Sequence, residues 1–225
     1  MAWDDVWEKV FVEHEWGKYP SEDLVRFVAR NFYKAPDRSA VKLLEVGCGP
    51  GANLWFAARE GFAGYGIDGS ATAITLAKAR LDGECPGWRG ELLVGDMERL
   101  PYDDDFFDGV IDHEAVYANP YENAVAIYHE MWRVTKPGGK LFSKTFATGC
   151  VGEGTGKKAG HNAWYPTEGP LKGDGDRYTR FTAYEEIHRL CKDWKNISVN
   201  LVTYTTDGVE KGNTVKEWVV TAEKA

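Results

Sequence analysis

The stretch Leu43-Leu44-Glu45-Val46-Gly47-Cys48-Gly49-Pro50-Gly51 constrains this chain more than any other. An apolar run enters three glycines at alternate positions and then a helix-patterned segment, Ala52–Glu60. A strand buried on both faces reads as such an uninterrupted apolar run. Glycine reaches positive φ and lets the backbone turn sharply and approach a ligand without a Cβ clash. The following helix presents free N–H groups at its first turn, where a polar ligand can sit. A plain strand–helix turn can carry the same glycines, so the companions of the motif decide its meaning.

Further strand–helix units follow. Phe62–Ile67 reads as a second strand ending at Asp68, and Ser70–Leu81 as a helix capped by Ser70. Glu91–Val94 reads as a third strand, ending at Gly95-Asp96, and Phe107–Ile111 as a fourth. Asn123–Val134 is a helix expected to stop before Lys136-Pro137-Gly138-Gly139, and Lys140–Phe146 is a fifth strand. This alternation predicts an α/β fold with a doubly wound, mostly parallel sheet.

The flanks differ. Trp3, Trp7, Val10 and Phe11 fall at helical spacing, so 3–15 reads as an amphipathic helix. Ser21 is expected to cap a second helix to about Phe32. Residues 148–180 are glycine-rich and lack periodicity, so they read as a long loop. Thr182 is expected to cap a helix through Leu190, and Ile197–Thr205 and Thr214–Ala222 to form an antiparallel hairpin around Asp207-Gly208. One domain over 1–225 is expected, with 1–36 as a helical lid and 148–180 as an active-site insertion.

A net charge of −8 argues against a nucleic-acid partner, which needs clustered Lys and Arg. The sequence has no apolar run of about eighteen residues and no basic-then-apolar N-terminal segment, so neither a membrane span nor a secretory signal is read. Cys48, Cys85, Cys150 and Cys191 lack Cys-x-x-Cys spacing and are read as reduced thiols of a cytoplasmic protein. Asp103-Asp104-Asp105 cannot all face one ion in an extended chain, and the histidines lack ligand spacing, so no metal is expected.

Two strand ends give the glycine turn its chemistry. Asp68 stands about twenty residues after the turn, where an acid can accept hydrogen bonds from ribose hydroxyls. Asp96 can accept from an adenine amino group, and Met97 can pack on the adenine face.

Together with Gly66-Ile67-Asp68, Gly95-Asp96-Met97, Leu100-Pro101-Tyr102, Phe106-Phe107-Asp108 and Arg133–Lys140, the segment Glu45–Gly51 resembles the class I S-adenosylmethionine (SAM)-dependent methyltransferases over about residues 40–147. The resemblance implies a seven-stranded sheet, parallel except for a reversed last strand, with SAM as cofactor and S-adenosylhomocysteine (SAH) as product. It places Glu45, Gly47 and Gly49 against the methionine moiety, Asp68 on the ribose, and Asp96 and Met97 on the adenine. Asp112 and His113 fall near the sulfonium. Cys48, Asn53, Gly69, Ser70 and Gly95 complete the expected contacts, and Trp16 or Tyr19, on a break between helices, is expected to cover the cofactor.

Ligands of open α/β sheets bind at the carboxyl ends of the strands. The acceptor is therefore expected near His113, Glu114 and Tyr117, the candidate catalytic residues. His113 is the candidate base because its ordinary pKa lies near neutrality; packing on the cofactor is the alternative. Lys157, Lys158, His161, Lys172, Arg177 and Arg180 make the 148–180 loop locally basic, which suits a lid over an anionic or sugar-like acceptor. The stretch Trp16–Phe27 is similar to methyltransferases that occur with surface-polysaccharide biosynthesis. The expected activity is methyl transfer to a small molecule, a sugar or nucleotide-sugar, by a monomer or homodimer. Two alternatives stand: a SAM-binding module without activity, and an NAD-dependent oxidoreductase, which lacks support because Gly-x-Gly-x-x-Gly is not present at the turn.

Overall fold

A computed structural model describes residues 4–174, 176–205 and 213–225. Its centre is a seven-stranded sheet in the order β3-β2-β1-β4-β5-β10-β9, with β1 at Lys42–Val46, β2 at Ala63–Asp68, β3 at Arg89–Val94, β4 at Phe107–His113 and β5 at Thr135–Phe146. The edge is formed by β9 (Lys195–Thr205) and β10 (Thr214–Glu223). β1 through β5 pair in parallel, and β10 alone runs antiparallel to both its neighbours. The expected reversed last strand is therefore present. Asp207-Gly208 lies outside the described residues, as does Trp3.

Period-two alternation builds two cores from one sheet. Leu44, Val46, Val110, Leu141 and Val220 face α5 (Tyr121–Val134) and α6 (Tyr184–Leu190). Leu43, Ile111, Phe142 and Val219 face α2 (Glu22–Phe32) and α3 (Ala52–Arg59). Successive strand residues point to opposite faces, so strands covered on both sides must be apolar throughout. α4 (Ala71–Glu84) packs Leu81 against Leu54 of α3.

Several element boundaries differ from expectation. β5 starts at Thr135, because Phe107 pairs with Thr135 and a register shift before Gly109 absorbs the Lys136–Gly139 stretch. Lys136 Nζ holds Asp108 at 2.7 Å, and the Gly138 N–H donates to the Lys224 carbonyl. α4 runs past Leu81, with a Lys78–Asp82 pair on its exposed face. Ser70 does cap it, accepting from the Ala73 N–H at 2.9 Å. Ser21 likewise caps α2, accepting from Leu24 N–H.

Thr182 does not cap α6. Its hydroxyl accepts from Arg180 Nη1, and the helix starts after Ala183, whose N–H donates to the Glu186 carboxylate at 2.7 Å. Residues 148–180 are not a simple loop: β6 (Lys157–Gly160), β7 (Ala163–Tyr165) and β8 (Thr179–Arg180) form a small antiparallel sheet. It is anchored because Trp164, Cys150 and Phe181 share an apolar cluster with Tyr117 and Phe146 of the central domain. A segment with its own buried aromatics has a reason to order that glycine content alone conceals. No described helix is long and apolar enough to cross a membrane.

Candidate active site

The turn after β1 is built by left-handed glycines: Gly47, Gly49 and Gly51 have φ of 64°, 50° and 79°. The N–H groups of Gly47 and Cys48 both donate to the Ile67 carbonyl, which ties the turn to β2. Asp68 completes the tie. One carboxylate oxygen accepts from Gly49 N–H at 2.8 Å and the other from Ser70 N–H at 2.9 Å. A carboxylate offers about four lone-pair directions, so Asp68 retains capacity for two further donors.

Glu45 is nearly fully buried at the carboxyl end of β1. Its Oε1 accepts from Asn53 Nδ2 at 2.5 Å, while Oε2 is buried with no hydrogen-bond partner. Burial pushes the carboxyl up to about 8, opposed by the Asn53 bond and reinforced by the charges of Asp68 and Asp112. An orphaned buried carboxylate oxygen calls for a cationic donor.

These groups open into a cavity of about 430 Å³, within the range of small-molecule sites. Glu45, Gly47, Cys48, Gly49, Asn53 and Asp68 line one end, joined by Gly69 and Met97. The N-terminal segment closes over it. Trp7 and Phe11 of α1 (Val6–Glu13) line the wall, and Trp16 packs edge-on against Phe11 at 5.4 Å. Tyr19 also lines the cavity, but it is 74% exposed and leans on Trp55, so it sits at the rim. α1 is moored by Glu8, whose carboxylate accepts from Ser70 Oγ and Thr72 Oγ1.

Four expected contacts do not line the cavity. Ser70 is fully buried, its hydroxyl spent on the helix cap and on Glu8. Gly95 packs against Ile67, where a Cβ would come within 2.8 Å of Cδ1. Asp96 turns its carboxylate onto the Glu98 N–H at 3.0 Å and so caps its own turn. Asp112 is fully buried and accepts from Ala115 N–H, Val116 N–H and Ser143 Oγ. It fixes the chain after β4 instead of facing a ligand.

At the other end the cavity is lined by His113, Glu114 and Tyr117. His113 Nε2 lies 2.9 Å from Ser21 Oγ, and its ring stacks near Phe142. Burial, then the Lys144 charge, holds the imidazole below its ordinary pKa and therefore neutral. Its Nε2 is thus engaged with α2. Sequence reasoning missed Glu217, Tyr204 and Phe146, which also line this end. They come from β10, β9 and β5, and no local pattern links such distant positions. From the 148–180 insertion only Pro170 and Leu171, both apolar, reach the cavity among the described residues. Of its basic groups, Arg180 is buried and donates to the Asn119 carbonyl, and His161 pairs with Glu186. The four cysteines are free and buried.

A mostly parallel sheet of this order, with a glycine turn after its first strand and an acid on its second, is a fold shared with solved SAM-dependent methyltransferases. Residues 43–139 match the family model described as a methyltransferase domain. Methyltransferase GfsG of Streptomyces halstedii is 34% identical over 116 residues, 51% of this chain and 41% of that protein. The malonyl-[acyl-carrier protein] O-methyltransferase of Erwinia billingiae is 31% identical over 140 residues, 60% of this chain and 49% of that protein. The chain thus spans less than half the length of either relative. In the fold, a SAM-dependent methyltransferase from Methanosarcina mazei superposes with a TM-score of 0.61 at 20% identity, covering 81% of this chain and 92% of the other.

The cavity fits this cofactor, since the orphaned Glu45 oxygen suits its α-ammonium group and Asp68 its ribose. A pH dependence follows. Glu45 has its pKa raised by folding, so ionising it costs stability as pH rises from about 4.5 through about 8. A bound ammonium reverses that cost. SAH affinity should therefore rise with pH up to about 8, by no more than about tenfold per unit. Calorimetry should show proton release on binding near pH 7, and Glu45→Gln should lose both effects. A flat pH profile in the wild type would remove Glu45 from this role.

Proposed function

We propose that this chain transfers the methyl group of SAM to a small-molecule acceptor of the sugar type. The observation that carries the reading is one continuous cavity, with Glu45 and Asp68 at the cofactor end and Glu114, Tyr117, Tyr204 and Glu217 at the other. Methyl transfer needs alignment of a nucleophile with the S–CH3 bond and exclusion of water, to which the aromatic walls of the cavity contribute. The sulfonium brings the electrophilic methyl group; the protein brings position. Carboxylates and phenols beside aromatic walls suit hydroxyl-rich rings. Of the two sugar classes, a free sugar fits better than a nucleotide-sugar. None of the described lining residues is Lys or Arg, and a diphosphate would face carboxylates.

The test is titration of SAH, SAM and NAD into the purified protein, followed by methyl-transfer assays from labelled SAM to a panel of free and nucleotide-linked sugars. Micromolar SAH binding without NAD binding, and labelled sugar product, are the expected results. Absence of SAH binding to the folded protein would overturn the reading. SAH binding with no transfer to any small molecule would favour a SAM-binding module without activity.

A further inference from the structure

The acceptor end holds a charged group that the cofactor does not need. Lys144 of β5 stands between two carboxylates, with its Nζ 3.1 Å from Glu114 Oε1 and 2.9 Å from Glu217 Oε2. Both glutamates line the cavity. Glu217 is only 2% exposed, and the Lys144 ammonium is the near partner of its buried Oε2. Its Oε1 receives only a long 3.4 Å bond from the Tyr204 hydroxyl. Two carboxylates against one ammonium leave one negative charge in a confined space. His113 is neutral and cannot cancel it. Burial, then the Glu114 charge, raises the Glu217 carboxyl, against the pull of the Lys144 ammonium. Tyr117 and Phe146, in edge contact at 4.8 Å, form an aromatic wall beside it. Negative charge with aromatic faces is the environment that binds an organic ammonium group.

We infer that the Glu114–Lys144–Glu217 cluster is the recognition site for an amine, so that the acceptor is an amino sugar methylated on nitrogen. This rests on the sugar-type reading above. The chemistry balances. Glu217 takes one proton from the bound R–NH3+, which frees the nitrogen lone pair. The N–CH3 bond forms as the S–CH3 bond breaks, and the electron pair of that bond stays on sulfur. Positive charge thereby moves from sulfur to nitrogen, where Glu114 stabilises it as it develops. Lys144 positions both carboxylates.

The experiment uses the full protein saturated with SAH and four probe types: hexosamines, the matched neutral hexoses, the matched hexuronic acids and cyclohexylamine. Calorimetry reads binding, and labelled SAM in place of SAH reads transfer. Hexosamines should bind at least about tenfold more tightly than neutral hexoses, and hexuronates most weakly. Glu217→Gln and Glu114→Gln should each erase most of that preference while SAH affinity stays unchanged, which a purely structural ion pair would not produce. The wild-type preference decides the matter even if a variant fails to fold. Cyclohexylamine binding as well as a hexosamine would uphold the amine site and overturn the sugar reading. A panel in which no amine outcompetes its neutral counterpart would overturn the inference.

Discussion

Asp68→Ala is expected to bind SAH at least about 100-fold more weakly than the wild type, a loss of about 3 kcal/mol. The side chain has two duties. It accepts from Gly49 N–H and Ser70 N–H, which fixes the glycine turn to the start of α4. Its remaining lone pairs are carboxylate acceptors for a ribose at the end of β2. Alanine removes the ligand's acceptors and leaves two amide donors without partners, so a stability loss of about 1–3 kcal/mol should accompany the loss of binding. Asp68→Asn separates the duties. An amide oxygen can keep one backbone bond, but its NH2 group then faces the second N–H, so partial stability and poor binding are expected. Urea unfolding and SAH calorimetry on both variants check this. Near-wild-type SAH affinity in Asp68→Ala would place the ribose elsewhere.

Gly47→Ala should destabilise the protein by about 2–5 kcal/mol, through two separable causes. The φ of 64° disfavours any residue with a Cβ. A Cβ built there would also lie 2.3 Å from the Ala115 Cβ, on the segment that carries Glu114 into the cavity. The clash would therefore push the cofactor turn and the acceptor segment apart. Ala115→Gly removes the colliding atom; the next contacts, Met97 Sδ at 3.5 Å and Ala115 Cα at 3.7 Å, are ordinary. The double variant Gly47→Ala/Ala115→Gly should then be more stable than the sum of the single changes by at least about 1 kcal/mol. Additive single changes, measured by thermal or urea unfolding, would show that backbone strain alone makes Gly47 a glycine.

The Glu45–Asp68 end of the cavity was legible in the chain because its parts are local. Glu45 and the glycines lie on one strand–turn–helix unit, and Asp68 ends the next strand of a parallel sheet. Hydrophobic alternation and glycine spacing record such neighbours directly. The limits of that legibility are as instructive. Asp96 and Asp112 are acids at strand ends, like Asp68, and like it accept from backbone N–H groups of their own turns, yet of the three only Asp68 lines the cavity. Residue type and position cannot say which way a carboxylate turns.

The acceptor half was decided by the tertiary structure. Antiparallel pairing of β10 with β5 sets Val219 beside Lys144, and the same strand brings Glu217 within ion-pair distance of a lysine 73 positions earlier, a separation given by 217 − 144. Burial then makes that charge count, because a carboxylate removed from water needs a partner that an exposed one does not. The alternation of strands and helices follows from sequence pattern. The ligand that the far end of the cavity selects follows from which strands the fold makes neighbours.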